Sequence, residues 1–189
     1  MKSEYQLTLA PVELATAPES VKSILQEQKN NFGFLPNMYT HMANAPSVLK
    51  MYLNGYRLFR EESSFSPVEQ EVLFLTISRE NGCDYCVGAH SMIADKMSGV
   101  PAHVTEAIRI GAEIDDPRLK ALHDFTVAML DKRGAPAIDD VAAFLSAGFS
   151  ERQVLEVIVA IAVKTLSNYT NHLAHTTLDE VFADYRWMA

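Results

Sequence analysis

Long apolar runs are missing from this sequence. Its most apolar stretch, VIVAIAV at 157–163, is far shorter than the roughly 20 residues that cross a bilayer. The first stretch, MKSEYQLTLAPVELATAPES, holds no apolar core of signal-peptide length, so a cytoplasmic protein with no membrane partner is expected. Basic clusters are absent too. With 16 Lys and Arg against 24 Asp and Glu, the formal net charge is −8, which argues against nucleic acid and anionic membranes as partners. No glycine-rich phosphate loop occurs, and no stretch alternates apolar and polar residues as a half-buried strand does. Cysteine occurs twice in 189 residues. That is too few for a disulfide framework. In a reducing compartment such a pair is expected to be catalytic, metal-binding or inert.

What is present reads as helix from end to end. A helix is predicted from Pro18 to a stop at Gly33, then a loop, NNFGFLPNM, at 30–38. A second helix follows Pro46. Ser66-Pro67-Val68-Glu69 is a capping box with proline at the first helical position, opening a helix that runs to Asn81-Gly82. The next starts near Cys83 and ends at Ser98-Gly99. Further helices follow Pro101 and Asp116-Pro117, with a break at Gly134 and Pro136 and a short helix at 141–145. An apolar helix at 150–166 and a last one from about Asn168 toward Trp187 complete an all-α chain. It is expected to be a single domain, 1–189, with an N-terminal helix and loop (1–44), a cysteine-bearing half (45–125) and a second half (126–189).

The segment ENGCDYCVGAH at 80–90 carries both cysteines. On a helix, Cys83, Cys86, His90, Ile93 and Met97 share one face at spacings of three and four. The two sulfurs lie a turn apart, and His90 lies a turn beyond Cys86. The partial positive charge of a helix start favours a thiolate at Cys83, whereas the adjacent imidazole favours Cys86, which is taken as the attacking sulfur. On the preceding helix Glu71 points among Phe74, Leu75 and Ser78. Burial there is expected to raise its pKa toward the range of a proton shuttle. Bland readings compete: two buried structural thiols, a salt-bridged Glu71, or a zinc site, whose ligand types are all present but whose spacing is not that of structural zinc. No bound cofactor and no metal are expected. Haem attachment is excluded because Val87 follows Cys86.

The frame Glu71-x11-Cys83-x2-Cys86-x3-His90 resembles the signature of the alkylhydroperoxidase D (AhpD)-like family, within the carboxymuconolactone decarboxylase superfamily. NNFGFLPNM and NYTNHLAHTTLD resemble segments of its peroxidase-related branch. The resemblance implies an all-α AhpD-like fold that forms homo-oligomers. It also implies a CxxC pair cycling between dithiol and disulfide while reducing small hydroperoxides, with an external dithiol protein or small thiol as reductant. Glu71, Cys83, Cys86 and His90 would be the catalytic set. Tyr85 stands where the type member has a histidine, which puts the proton relay of the family in question, because tyrosine ionises near pH 10.

Shifting the sequence by 85 positions carries Glu71 onto Glu156, Cys83 onto Asn168, Cys86 onto Asn171 and His90 onto His175. This suggests an internal duplication whose second helix pair lost its thiols. His172 and His175 are then possible supporting residues. Two other functions stay open: a decarboxylase or lactone-type enzyme on the same scaffold, and a non-catalytic redox sensor.

Overall fold

The computed structural model describes residues 2–188. Among these residues nine α-helices run in chain order: α1 Glu19–Phe32, α2 Asn37–Met42, α3 Pro46–Glu62, α4 Pro67–Glu80, α5 Asp84–Ile93, α6 Ala102–Ile110, α7 Pro117–Asp131, α8 Ile138–Ser146 and α9 Glu151–Ala174. No strand occurs among the described residues. No helix among them is long and apolar enough to cross a membrane. The fold is all-α, as the sequence predicts.

Capping chemistry sets several starts. Ser66 Oγ accepts from Glu69 N while Glu69 returns a bond to Ser66 N. Asp116 caps α7, with Pro117 at its first position, and Ser150 and Gln153 cap α9 reciprocally. Glycine at positive φ closes α1 at Gly33 and turns the chain between α4 and α5 at Gly82.

Helix α4 is the hub. It packs against α5, α6, α7 and α9, so every residue from Glu69 to Ser78 is buried. A helix covered on all sides has no solvent face on which to place polar groups, and this drives Glu71 into the interior. Helix α3 crosses α9 tightly. A β-carbon added to Gly55 would lie 3.0 Å from Val163 Cγ2.

Three features differ from the expectation. Part of the predicted loop at 30–38 and the residues after it form α2, which starts at Asn37 behind Pro36. The cysteine-bearing helix ends at Ile93 and continues as a wide π turn, Ala94–Ser98. The added residue per turn rotates Met97 off the inner face, and Met97 is 72% exposed. Finally, α9 runs unbroken from Glu151 to Ala174, because nothing at 166–168 stops a helix. His175 ends it in the left-handed region, and only a 3-10 helix, Glu180–Tyr185, follows. The second half therefore has no counterpart of the α4–turn–α5 pair. Glu156, Asn168 and Asn171 all lie on one continuous helix, and the duplication is not supported.

Candidate active site

The Gly82 turn folds α5 back along α4 and places Cys83 at the N-cap of α5 and Cys86 one turn inside it. Both thiols are free and almost fully buried, at 1% and 2% exposure. Helix α9 supplies the roof. Asn171 Nδ2 donates to Cys86 Sγ at 3.3 Å and lies 3.7 Å from Cys83 Sγ. The duplication frame had aligned this asparagine with Cys86; in space it touches Cys86. Asn168 Oδ1 accepts from Asn81 Nδ2 at 2.8 Å, pinning the turn to α9.

The carboxylate of Glu71 is fully buried and doubly held. One oxygen meets Arg60 Nη2 of α3, and the other meets His90 Nδ1 at 2.8 Å. Arg60 is itself fixed by Tyr56 Oη at 2.9 Å and Gln70 Oε1 at 3.1 Å. Its guanidinium lies over the Tyr56 and Phe74 rings. Burial pushes the Glu71 carboxyl up, but His90 and Arg60 outweigh it, and the group ends below the ordinary glutamate value. The expectation of a raised, proton-shuttling Glu71 is therefore corrected: it stays a carboxylate. His90 is pushed down by burial first and by the Lys164 charge second, against Glu71. A neutral imidazole facing a carboxylate donates through Nδ1–H, which leaves Nε2 as a proton acceptor.

The two thiols are driven apart. Burial pushes Cys83 up, and its bond to Cys86 and that sulfur's charge push it further. Burial also opposes ionisation of Cys86. There it is outweighed by the Cys83 thiol donating to it, by the charge of Lys164, by His90 and by Ser167, so Cys86 falls well below the ordinary cysteine value. The helix-start argument for Cys83 is thus overridden, because Cys83 is desolvated and, as a thiol, donates a hydrogen bond to its neighbour's sulfur. Reduced protein is expected to show one thiolate by its absorbance near 240 nm at neutral pH. Cys86→Ser should abolish that signal and Cys83→Ser should weaken it.

The other named residues separate. Tyr85 Oη donates to Asp179 Oδ2 at 2.5 Å, and Asp179 also accepts from the Asn37 amide. Burial first, then Asp179, pushes the Tyr85 hydroxyl well up, so it is a clasp and no proton relay. His172 is half-buried beside the Gly82 turn and is pushed down mainly by burial. His175 points away and meets Ser3 O at 2.8 Å. Three contributors escaped the sequence reading: Arg60, Asp179 and Lys164. Lys164 left a signal, a lone charge directly after VIVAIAV. No group of three or more metal-ligating side chains occurs among the described residues.

Residues 46–128, which hold Glu71, both cysteines and His90, match the model of the carboxymuconolactone decarboxylase family. The family match is joined by likeness of fold. The AhpD core of an uncharacterized peroxidase-related protein from Ralstonia eutropha JMP134 aligns at TM-score 0.81 and 22% identity, over 92% of this chain and 93% of that one. An uncharacterized peroxidase-related protein from Silicibacter sp. TM1040 aligns at 0.79 and 20%, over 98% of each. A debrominase, Bmp8, crystallised with 2,3,4-tribromopyrrole, aligns at 0.77 and 16%, over 95% of this chain and 96% of that one. No curated protein matches the chain at a significant level. The segment that matches this family model thus lies within a fold like that of the AhpD core, which aligns over 92% of the chain.

Proposed function

We propose that this protein reduces small hydroperoxides through a Cys83–Cys86 dithiol–disulfide cycle. The observation that carries the reading is the arrangement itself. Two free sulfurs lie one turn apart under the Asn171 amide, and an imidazole held by Glu71 lies on the next turn. The Cys86 thiolate attacks one peroxide oxygen; an S–O bond forms, the O–O bond breaks, and the departing oxygen takes up a proton as alcohol or water. Cys83 then attacks the sulfenic sulfur. His90, oriented by Glu71, takes the Cys83 proton and returns one to the leaving hydroxyl, giving water and the disulfide. An external dithiol restores both cysteines by exchange.

The test is hydroperoxide consumption by the wild type with dithiothreitol, with the Cys83–Cys86 disulfide mapped by mass spectrometry. Turnover with that disulfide supports the reading; inert thiols sink it. A second reading draws on the debrominase neighbour and on the row of rings Tyr39, Tyr52, Tyr56 and Phe74, which ends against His90. An aryl bromide would be reduced to the arene and bromide while the same two thiols become a disulfide. Bromide release from 2,3,4-tribromopyrrole without peroxide turnover would favour it.

Both sulfurs are buried, and the segment after α9 packs on the helix that carries Cys86. The Tyr85–Asp179–Asn37 clasp ties that segment to α5 and α2. Asp179→Ala is expected to speed alkylation of the thiols by iodoacetamide several-fold with the helical content unchanged; equal rates would show that the clasp does not control access. The same reading includes self-assembly. Leu155, Ile158, Val159, Tyr169 and Leu173 of α9 are exposed, an apolar stripe that suits a second copy of the chain. Sedimentation of a single monomeric species would remove that part.

A further inference from the structure

Asn171 turns both ends of one amide into the interior. The residue is 4% exposed. Its Nδ2 lies 3.3 Å from Met38 Sδ, 3.3 Å from Cys86 Sγ and 3.7 Å from Cys83 Sγ. A thioether has no hydrogen to give, so the end that faces Met38 is the NH2 end. That group carries two hydrogens. The two nearer sulfurs, Met38 and Cys86, take them, and Cys83 is left at the longer distance. Met38 thus anchors the amide, and Cys86 is the cysteine the amide holds.

The other end is unsatisfied. Oδ1 is buried and meets no donor. The donors on its own face of α9 do not reach it, since Lys164 Nζ and Asn168 Nδ2 themselves meet no partner. A buried carbonyl oxygen without a donor is costly, and in a folded protein each such group calls for an explanation. Its placement offers one. Both ends hang from one planar carbon, so Oδ1 lies within an amide's width of the nitrogen that touches Cys86 Sγ. A ligand atom that brings a hydrogen to Oδ1 can therefore also contact that sulfur. A hydroperoxide, R–O–O–H, brings such a hydrogen, and the oxygen that bears it is the one the sulfur takes.

We propose that Asn171 is a catalytic residue that recognises the hydroperoxide group, with Nδ2 on the Cys86 sulfur and Oδ1 accepting from the substrate's terminal O–H. The inference rests on the dithiol–disulfide reading and names what that site selects, the monosubstituted peroxide R–O–O–H over R–O–O–R. The Cys86 sulfur attacks the hydroxyl oxygen. An S–O bond forms and the O–O bond breaks, so sulfur is oxidised and the peroxide reduced. The bonding pair leaves on the R–O oxygen, which ends as R–OH with the proton lost from the Cys86 thiol. The substrate's own hydrogen travels with its oxygen, so the S–O–H of the sulfenic acid still donates to Oδ1. One acceptor serves reactant and intermediate alike, and it orients the S–O bond while Cys83 attacks.

The test uses Cys83→Ser, in which Cys86 is the single thiol and the first step stands alone. Its reaction with hydrogen peroxide, trapped by dimedone, is timed by mass spectrometry. So is its reaction with methyl methanethiosulfonate, which the same sulfur attacks and which has no hydrogen to donate. Adding Asn171→Leu removes both ends of the amide at nearly the same volume. The peroxide rate is expected to fall about tenfold or more relative to the thiosulfonate rate. Asn171→Ala, which fits without repacking, should lose the same preference, so misfolding of the leucine variant would not decide the matter. Equal falls in both rates, or no fall in either, would overturn the proposal and leave the peroxidase reading standing. A Cys86 that forms the mixed disulfide but no sulfenic acid, with Asn171 in place, would sink that reading and this proposal with it.

Discussion

Glu71→Gln is expected to destabilise the protein by about 3–5 kcal/mol, toward the lower figure because Arg60 keeps some contact with solvent. The substitution preserves shape and removes only charge. What it leaves behind is a largely buried guanidinium facing a neutral amide, and an imidazole whose Nδ1–H has lost a carboxylate acceptor. Urea denaturation at neutral pH measures the cost; a change below about 1 kcal/mol, the size of an ordinary surface pair, would show that the triad is not a structural keystone.

The pH dependence carries a sign that follows from the same contacts. The folded Glu71 lies below the ordinary glutamate value, so its contribution is fully present above the unfolded value of about 4.3 and is lost as pH falls through the folded one. His90 is also lowered in the folded protein. The unfolded chain therefore binds that proton first, and stability declines as pH falls below about 6.5. Both groups act in one direction, toward acid lability, and Glu71→Gln should flatten the lower part of the curve.

The second large effect is an asymmetry between the cysteines. Cys86→Ser should lower peroxide turnover by about 10^4-fold or more, the scale on which covalent enzymes lose rate with their nucleophile. Cys83→Ser should still react once per chain and then stop as a sulfenic acid on Cys86, which dimedone traps and mass spectrometry locates. Sulfenic acid on Cys83 in the Cys86 variant, with turnover retained there, would reverse the two roles. The prediction follows from the split environments: Cys86 accepts a hydrogen bond from the Cys83 thiol and lies near positive charge, while burial pushes Cys83 up.

Much of this was legible before any coordinates, and the reason is local. Caps, prolines and the Asn81-Gly82 turn act within a few residues, so α4, α7 and the start of α5 lie close to where sequence places them. The cysteine, histidine and glutamate frame is also local, spanning two adjacent helices. What escaped depends on distance. The π turn after Ile93 is a packing outcome with no breaker to announce it. The continuous α9 defeated the second-copy reading, because matched spacing of Glu156, Asn168 and Asn171 says nothing about whether a turn lies between them. The ionisation of Glu71 was misjudged since its main partners, Arg60 and His90, come from helices on either side of it in sequence. A wheel of α4 alone shows the burial and hides the compensation.

The tight crossing at Gly55 has a consequence beyond packing. Val163 Cγ2 occupies the space a side chain at position 55 would take, and Val163 immediately precedes Lys164 on the helix that also carries Asn171. One missing methyl group thus sets how deeply α9 seats the Asn171 amide over the sulfurs. Gly55→Ala, outside the Glu71–His90 frame in sequence, would lift that helix by a few tenths of an ångström. Thiol reactivity in this fold is then adjustable from a helix that contributes nothing to the sulfurs directly, by the thickness of one contact between a backbone and a valine methyl.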